Sequence, residues 1–152
     1  MRPVTVTGDL LESPMRIIGH QVSMAGVMGA GIALQIRRKW PEVYTDYMRG
    51  VKDGSLVLGG ILTTDVRDPA VPGEVRTVVS LAGQIGVGRL HRQTVYDALR
   101  AAMRKTFALA MRLQVDVGLP YGIGCGLAGG DWSIVERIIA DEFGAACVLY
   151  VK

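Results

Sequence analysis

Pro120-Tyr121-Gly122-Ile123-Gly124-Cys125-Gly126-Leu127-Ala128-Gly129-Gly130-Asp131-Trp132 follows the apolar run Val115 to Leu119 and precedes Ser133-Ile134-Val135-Glu136. The order is a buried strand, a glycine loop and a helix start, with Ser133 to Glu136 spaced as a capping box. Glycine fills five of the nine positions from 122 to 130. Glycines let backbone come close to a ligand, and the free N–H groups of a helix N-terminus favour an anion. Residues 124 to 129 also fit G-x-G-x-x-G. A nicotinamide-binding fold needs that pattern after its first strand, with an acid ending the next one. Here only one more helix and strand follow, so the context argues against it. A Walker lysine is missing as well.

Working outward, a second loop of the same kind appears near the start. His20-Gln21-Val22-Ser23-Met24-Ala25-Gly26-Val27-Met28-Gly29-Ala30-Gly31 follows an apolar segment and leads into Ile32 to Trp40, where Ile32, Ile36 and Trp40 recur every four residues. Either loop alone would serve as a tight turn. Two such strand-to-helix loops exceed what turning requires, and in an open α/β sheet they gather at the carboxyl edge of the strands, where ligands bind.

Strands are expected at Val4 to Thr7, Arg16 to His20, Gly60 to Val66, Val75 to Leu81, Val115 to Leu119 and Ala146 to Val151. Helices are expected at Gly29 to Trp40, Pro41 to Arg49, Gln93 to Leu113 and Ser133 to Phe143. Pro41 suits a first helical turn, and Thr94 to Asp97 offers another capping box. Val95, Leu99, Met103, Phe107 and Met111, with Ala102 and Ala110, form the apolar face of the long helix. Asp68-Pro69 and Pro72-Gly73 mark a turn joining two antiparallel strands. The remaining alternation of strand and helix implies parallel pairing with helices on both faces. The expectation is one α/β domain over residues 1–152, a three-layer α/β/α sandwich on a mixed, mostly parallel sheet.

Composition agrees with this fold. The 152 residues are 49% hydrophobic, yet no apolar run approaches the roughly 20 residues that span a bilayer. No membrane association is expected. Met1-Arg2-Pro3 runs into a strand without a signal-peptide core, and the two cysteines lie far apart. The cytoplasm is the expected compartment and a monomer the expected state. The net charge of +3 argues only weakly for nucleic acid. Arg37-Arg38-Lys39 falls at a helix end that suits cations, and Arg100, Arg104, Lys105 and Arg112 spread along a solvated face.

Gly8-Asp9-Leu10-Leu11, Gly26 to Ala33, and Ile123 to Leu127 with Asp131-Trp132 together resemble the macrodomains that bind ADP-ribose. The glycine-cysteine-glycine loop is most similar to the branch holding terminal ADP-ribose glycohydrolases, yeast-type ADP-ribose-1''-phosphate phosphatases and small bacterial and phage proteins. The resemblance implies that Asp9 accepts a hydrogen bond from the adenine amino group. The alternative is a turn or cap aspartate. It implies backbone donors to a diphosphate from Gly29, Ala30, Gly31 and Ile32 on one side and from Ile123, Gly124, Cys125, Gly126 and Leu127 on the other. Leu10, Val27, Met28 and Gly122 complete the expected contacts. Ser23 stands where many relatives have an asparagine at the distal ribose, and Gln84 or Arg89 would close over that ribose.

His20 is either an acid or base at the distal ribose, as the resemblance to the phosphatases implies, or a packed neutral residue. Cys125 is a small loop residue rather than a nucleophile, because His20 and His91 belong to other segments. Asp131 is a second catalytic candidate or a helix N-cap. The glycohydrolases use a lysine after the fourth strand and an aspartate beyond the glycine loop. This chain has Ala82-Gly83-Gln84 and Ala128 there. The expected function is binding of ADP-ribose or a close derivative, with hydrolysis of a distal-ribose substituent. The alternative is a reader or sequestering module without turnover. ADP-ribosylated macromolecules are possible partners, and no metal or cofactor is expected.

Overall fold

A computed structural model describes residues 2–88 and 91–152. Six strands and four helices follow one another as β1 (Val4–Thr7), β2 (Ile17–Ser23), α1 (Gly31–Lys39), α2 (Pro41–Asp53), β3 (Ile61–Arg67), β4 (Val75–Gln84), α3 (Tyr96–Leu113), β5 (Val117–Pro120), α4 (Trp132–Phe143) and β6 (Cys147–Val151), with short 3₁₀ turns at Leu10–Glu12 and Gly144–Ala146. The sheet order is β1-β6-β5-β2-β4-β3. Every neighbouring pair is parallel except β3 with β4, which the Asp68–Gly73 turn joins as an antiparallel ribbon.

Side-chain alternation along the strands builds two cores. Ile17, Val79, Leu81, Val117 and Leu119 meet α3 and α4, while Ile18, Val22, Val78 and Ala82 meet α1 and α2. The result is the three-layer α/β/α sandwich. Among the described residues, no helix is long and apolar enough to cross a membrane.

Several local expectations are corrected. Met111 is 60% exposed. An i, i+4 row advances about 40° around a helix at each step, so the stripe that starts at Leu99 has left the core by Met111, and Thr106 takes a buried place instead. Neither serine–threonine capping box forms. Val95 precedes α3 without a side-chain cap, and the Thr94 hydroxyl donates to the Gly124 carbonyl at 2.7 Å. Asp131, not Ser133, caps α4. The basic residues act locally: Arg100 and Arg104 pair with Asp141 and Glu142 across α3 and α4, and the Arg37 guanidinium lies 3.9 Å from the Tyr44 ring centre.

Candidate functional site

Strands β2 and β5 are neighbours, yet the helix after β2 packs on one face of the sheet and the helix after β5 on the other. The outgoing loops therefore part, and a crevice opens at the carboxyl edge between them. A cavity of about 550 Å³ fills it. Ser23, Val27, Met28, Gly29, Ala30, Gly31 and Ile32 form one side, Gly122, Ile123, Gly124, Gly126 and Leu127 the other, and Gln84 reaches it from β4. The two glycine loops singled out in the sequence thus border one cavity.

Its chemistry is that of unpaired backbone donors. Helix α1 has no side-chain cap, and the N–H groups of Gly31, Ile32 and Ala33 find no acceptor among the described residues. In the later loop, internal bonds from Cys125 N–H to the Gly122 carbonyl (2.9 Å) and from Gly130 N–H to the Gly124 carbonyl (2.9 Å) fold the chain back on itself. Among the described residues, that fold leaves the N–H groups of Gly122, Gly124, Gly126 and Leu127 without acceptors. Gly124 has a φ of +77°, a left-handed value that favours glycine, and a Cβ on Gly130 would lie 2.5 Å from the Gly124 oxygen. By contrast, a Cβ on Gly29 or Gly126 would meet nothing within 4 Å. A helix N-terminus and a concave run of N–H groups both suit an anion. Among the described residues, Tyr121 is the only titratable side chain on the wall. Its ring lies 4.6 Å from that of Trp132.

Other candidates stand apart from the cavity. His20 is fully buried in the face packed against α1 and α2, with Nε2 3.3 Å from the Ser80 hydroxyl and Nδ1 unpartnered. Burial pushes its pKa down to about 4, so at neutral pH it is an uncharged imidazole without access to the cleft. That corrects the acid–base expectation, because alternation along β2 turns residue 20 away from the side to which Gln21 points. Asp131 accepts from the Ser133 N–H (2.9 Å) and hydroxyl (2.7 Å). Those hydrogen bonds, the Ser133 hydroxyl first, hold its carboxyl below the usual range. It is a helix cap, off the cavity wall.

Asp9 lies at the same edge of the sheet but not on the cavity wall. One oxygen accepts from the Leu11 N–H at 2.9 Å, and the other pairs with Lys152 at 3.2 Å. Leu10 belongs to the core. Cys125 also faces away: its thiol donates to the Ile123 carbonyl at 3.4 Å, and burial, aided by Asp131, pushes its pKa up to about 11. Its N–H is spent inside the loop, as is that of Ile123 on the Pro120 carbonyl at 3.1 Å, which corrects the expected place of both among the diphosphate donors. Ser23 borders the cavity, but its buried hydroxyl accepts from the Ala25 N–H at 3.2 Å. That bond fixes the turn, and the same oxygen lies 3.5 Å from the Tyr47 hydroxyl of α2, on the protein side rather than toward a ribose. Arg89 lies outside the described residues.

Gln21, Val22, Ala33, Val87, Gly88, Pro120, Tyr121 and Ala128 complete the wall, though none of them is among the contacts expected from the sequence. Gln21 carried a signal, since it is a polar residue in the mostly buried β2, one step beyond His20 and hence on the opposite face. Val87 and Gly88 carried none.

The model of the Macro domain matches residues 20–139. A protein named DNA ADP-ribosyl glycohydrolase from Mycobacterium tuberculosis is 39% identical over 139 residues, covering 90% of this chain and 37% of its own length. One of the same name from Thermus aquaticus is 38% identical over 140 residues, covering 92% and 37%. The chain thus spans little more than a third of these relatives. The solved macrodomain of Mycobacterium tuberculosis DarG superposes with a TM-score of 0.82 at 25% identity, covering 99% of this chain and 97% of that one.

Proposed function

This chain belongs to the Macro domain family, and from its cleft we infer that it binds ADP-ribose, as a free nucleotide or at the end of an ADP-ribosylated macromolecule. The observation that carries this reading is the pair of facing backbone walls around one cavity: α1 with its uncapped N-terminus, and the later loop with the N–H groups of Gly122, Gly124, Gly126 and Leu127 unpaired among the described residues. A diphosphate would take these donors. The cavity is also large enough for more than a phosphate, and its mainly apolar lining suits ribose and base faces. Asp9 would accept the adenine amino group in competition with its pair to Lys152. One domain over residues 1–152 suffices for this function, and unpaired thiols at Cys125 and Cys147 fit a reducing compartment.

Capture without turnover is the favoured form. Removal of a 1''-phosphate was to rest on His20 and Asp131, and neither side chain reaches the wall. Among the described residues the wall has no carboxylate, imidazole or amine to move a proton. Hydrolysis of an ADP-ribosyl bond is the second reading, favoured by the name of the relatives at 38–39% identity. Against it, Gln84 borders the cavity in the region where the family resemblance implies a lysine.

Calorimetry with ADP-ribose and AMP tests the binding, with one-to-one binding of ADP-ribose and much weaker AMP expected. Equal affinity for the two would refute it. Incubation with ADP-ribose-1''-phosphate and with an ADP-ribosylated oligonucleotide should release no product. Multiple turnover on either would replace capture with catalysis.

A further inference from the structure

Below the cleft, one amide joins elements that otherwise belong to separate walls. Gln21 on β2 donates from Nε2 to Gln84 Oε1 at 3.2 Å and to Thr94 Oγ1 at 3.0 Å. The Thr94 hydroxyl passes its own proton to the Gly124 carbonyl at 2.7 Å. The backbone follows the same line: Val95 N–H bonds to the Gly83 carbonyl at 2.8 Å, and Gln93 and Thr94 both donate to the Ala128 carbonyl. A continuous polar chain therefore runs from the end of β4, through Gln21, into the glycine loop. The first wall hangs on the same strand, since residues 24 to 30 leave directly from the end of β2.

The other polar atom of the Gln21 side chain shows what this arrangement costs. Its Oε1 is buried with no donor among the described residues. It sits where a Cβ on Gly83 would approach to 2.6 Å and one on Gly124 to 3.2 Å, so it faces two glycine Cα groups. An unsatisfied buried acceptor is unfavourable, and an amide that only filled space would be better replaced by an apolar side chain. Both acceptors opposite Nε2, the Gln84 oxygen and the Thr94 hydroxyl, need a donor. An ionised glutamate cannot supply one and leucine supplies none.

We propose that Gln21 is a positioning residue that fixes the spacing of the two donor walls and thereby the affinity for a ligand that bonds to both. This rests on the reading of the cleft as an ADP-ribose site. Gln21→Leu and Thr94→Val break the chain at different links, the second with almost no change of volume. Each should speed amide exchange at the loop's internally bonded Cys125 and Gly130 by about tenfold, the scale expected for one or two lost hydrogen bonds. Each should weaken ADP-ribose by at least about tenfold, while the urea midpoint shows the domain still folded.

Gln21→Glu separates positioning from bulk packing. At about pH 8 its carboxylate has no proton to give and should behave like leucine. Near pH 5.5 burial favours the neutral acid, whose O–H restores one donor, so its affinity should recover while that of the wild type stays level. Unchanged exchange and affinity in both Gln21→Leu and Thr94→Val would overturn the proposal. So would faster exchange with unchanged affinity, or a glutamate variant that tracks the wild type at both pH values. Should the wild type itself fail to bind ADP-ribose, the ligand reading falls alone, and exchange at Cys125 and Gly130 still decides the role of Gln21.

Discussion

Replacing His20 with glutamine, which keeps a polar planar group facing Ser80 but cannot titrate, should flatten the acid limb of the stability curve. The imidazole is fully buried and its pKa falls from 6.5 to about 4 because burial disfavours the charged form. The unfolded chain would protonate it at its ordinary value. Between those two values the unfolded state therefore binds one more proton than the folded state, and stability falls as pH falls. The slope is about 1.4 kcal/mol per pH unit. The contribution is fully present above about pH 6.5 and is lost progressively on the way down to about pH 4, a total of about 3 kcal/mol. That is a large fraction of the roughly 5–15 kcal/mol by which a domain is stable.

Urea titrations of wild type and His20→Gln, at steps from about pH 7.5 to about pH 4.5, measure the difference directly. Carboxylates common to both proteins cancel. The wild-type curve should drop below the variant's by about 2–3 kcal/mol over that range, after offsetting any constant difference at neutral pH. Parallel curves would refute the argument and return His20 to an exposed, titrating position. The same variant should bind ADP-ribose as the wild type does, since its side chain lies outside the cavity wall.

Gly126→Val and Gly29→Glu should each remove ADP-ribose binding with little effect on folding, because a Cβ at either site meets no protein atom and would instead occupy the space beside the donor walls. Calorimetry alongside thermal melting checks this, and normal binding by either would put the diphosphate elsewhere. Gly31 is a poorer test, as its φ of +56° strains any other residue. Asp9→Asn should weaken ADP-ribose by about 1–3 kcal/mol through loss of a charge-assisted hydrogen bond, whereas Lys152→Ala, which frees the carboxylate, should leave affinity equal or tighter. Loss of affinity in Lys152→Ala, with none in Asp9→Asn, would confine Asp9 to capping the turn at Leu10–Glu12.

The layers of this fold were legible because they depend on patterns that repeat. Strand alternation and the strand–helix order recur over many residues, the Asp68–Gly73 turn adds an explicit punctuation signal, and the sheet follows from them. The cavity walls were legible for a related reason, since glycine density marks backbone that has to stay uncovered. What the sequence left open were readings that turned on the direction of one side chain. His20 and Gln21 are adjacent, and a single step along β2 sends one into the core and the other beneath the cleft. A register shift between Val22 and Ser23 then interrupts the alternation just where the ligand loop begins. The Ser23 hydroxyl ends 3.5 Å from the Tyr47 hydroxyl of α2, instead of free in the cavity. No local pattern encodes such a shift. Thr94 fitted a capping box by sequence, but its acceptor lay thirty residues away in the glycine loop.

The make-up of the cavity wall bears on why capture is favoured over cleavage. A lysine or arginine facing a diphosphate would supply a full charge, but that charge would have to be desolvated in the same apolar crevice, a cost that offsets much of the attraction. Backbone dipoles avoid this, because their orientation is fixed by the fold and they carry no net charge to strip of water. Their limitation is the same property: an N–H group can hold an anion but cannot accept a proton, attack a carbon or stabilise a leaving group by giving up its hydrogen. With Gln84 and Gln21 as the amides beside them, both already engaged in holding the walls, the described part of the wall is built of neutral donors, as the proposed capture of a nucleotide diphosphate requires.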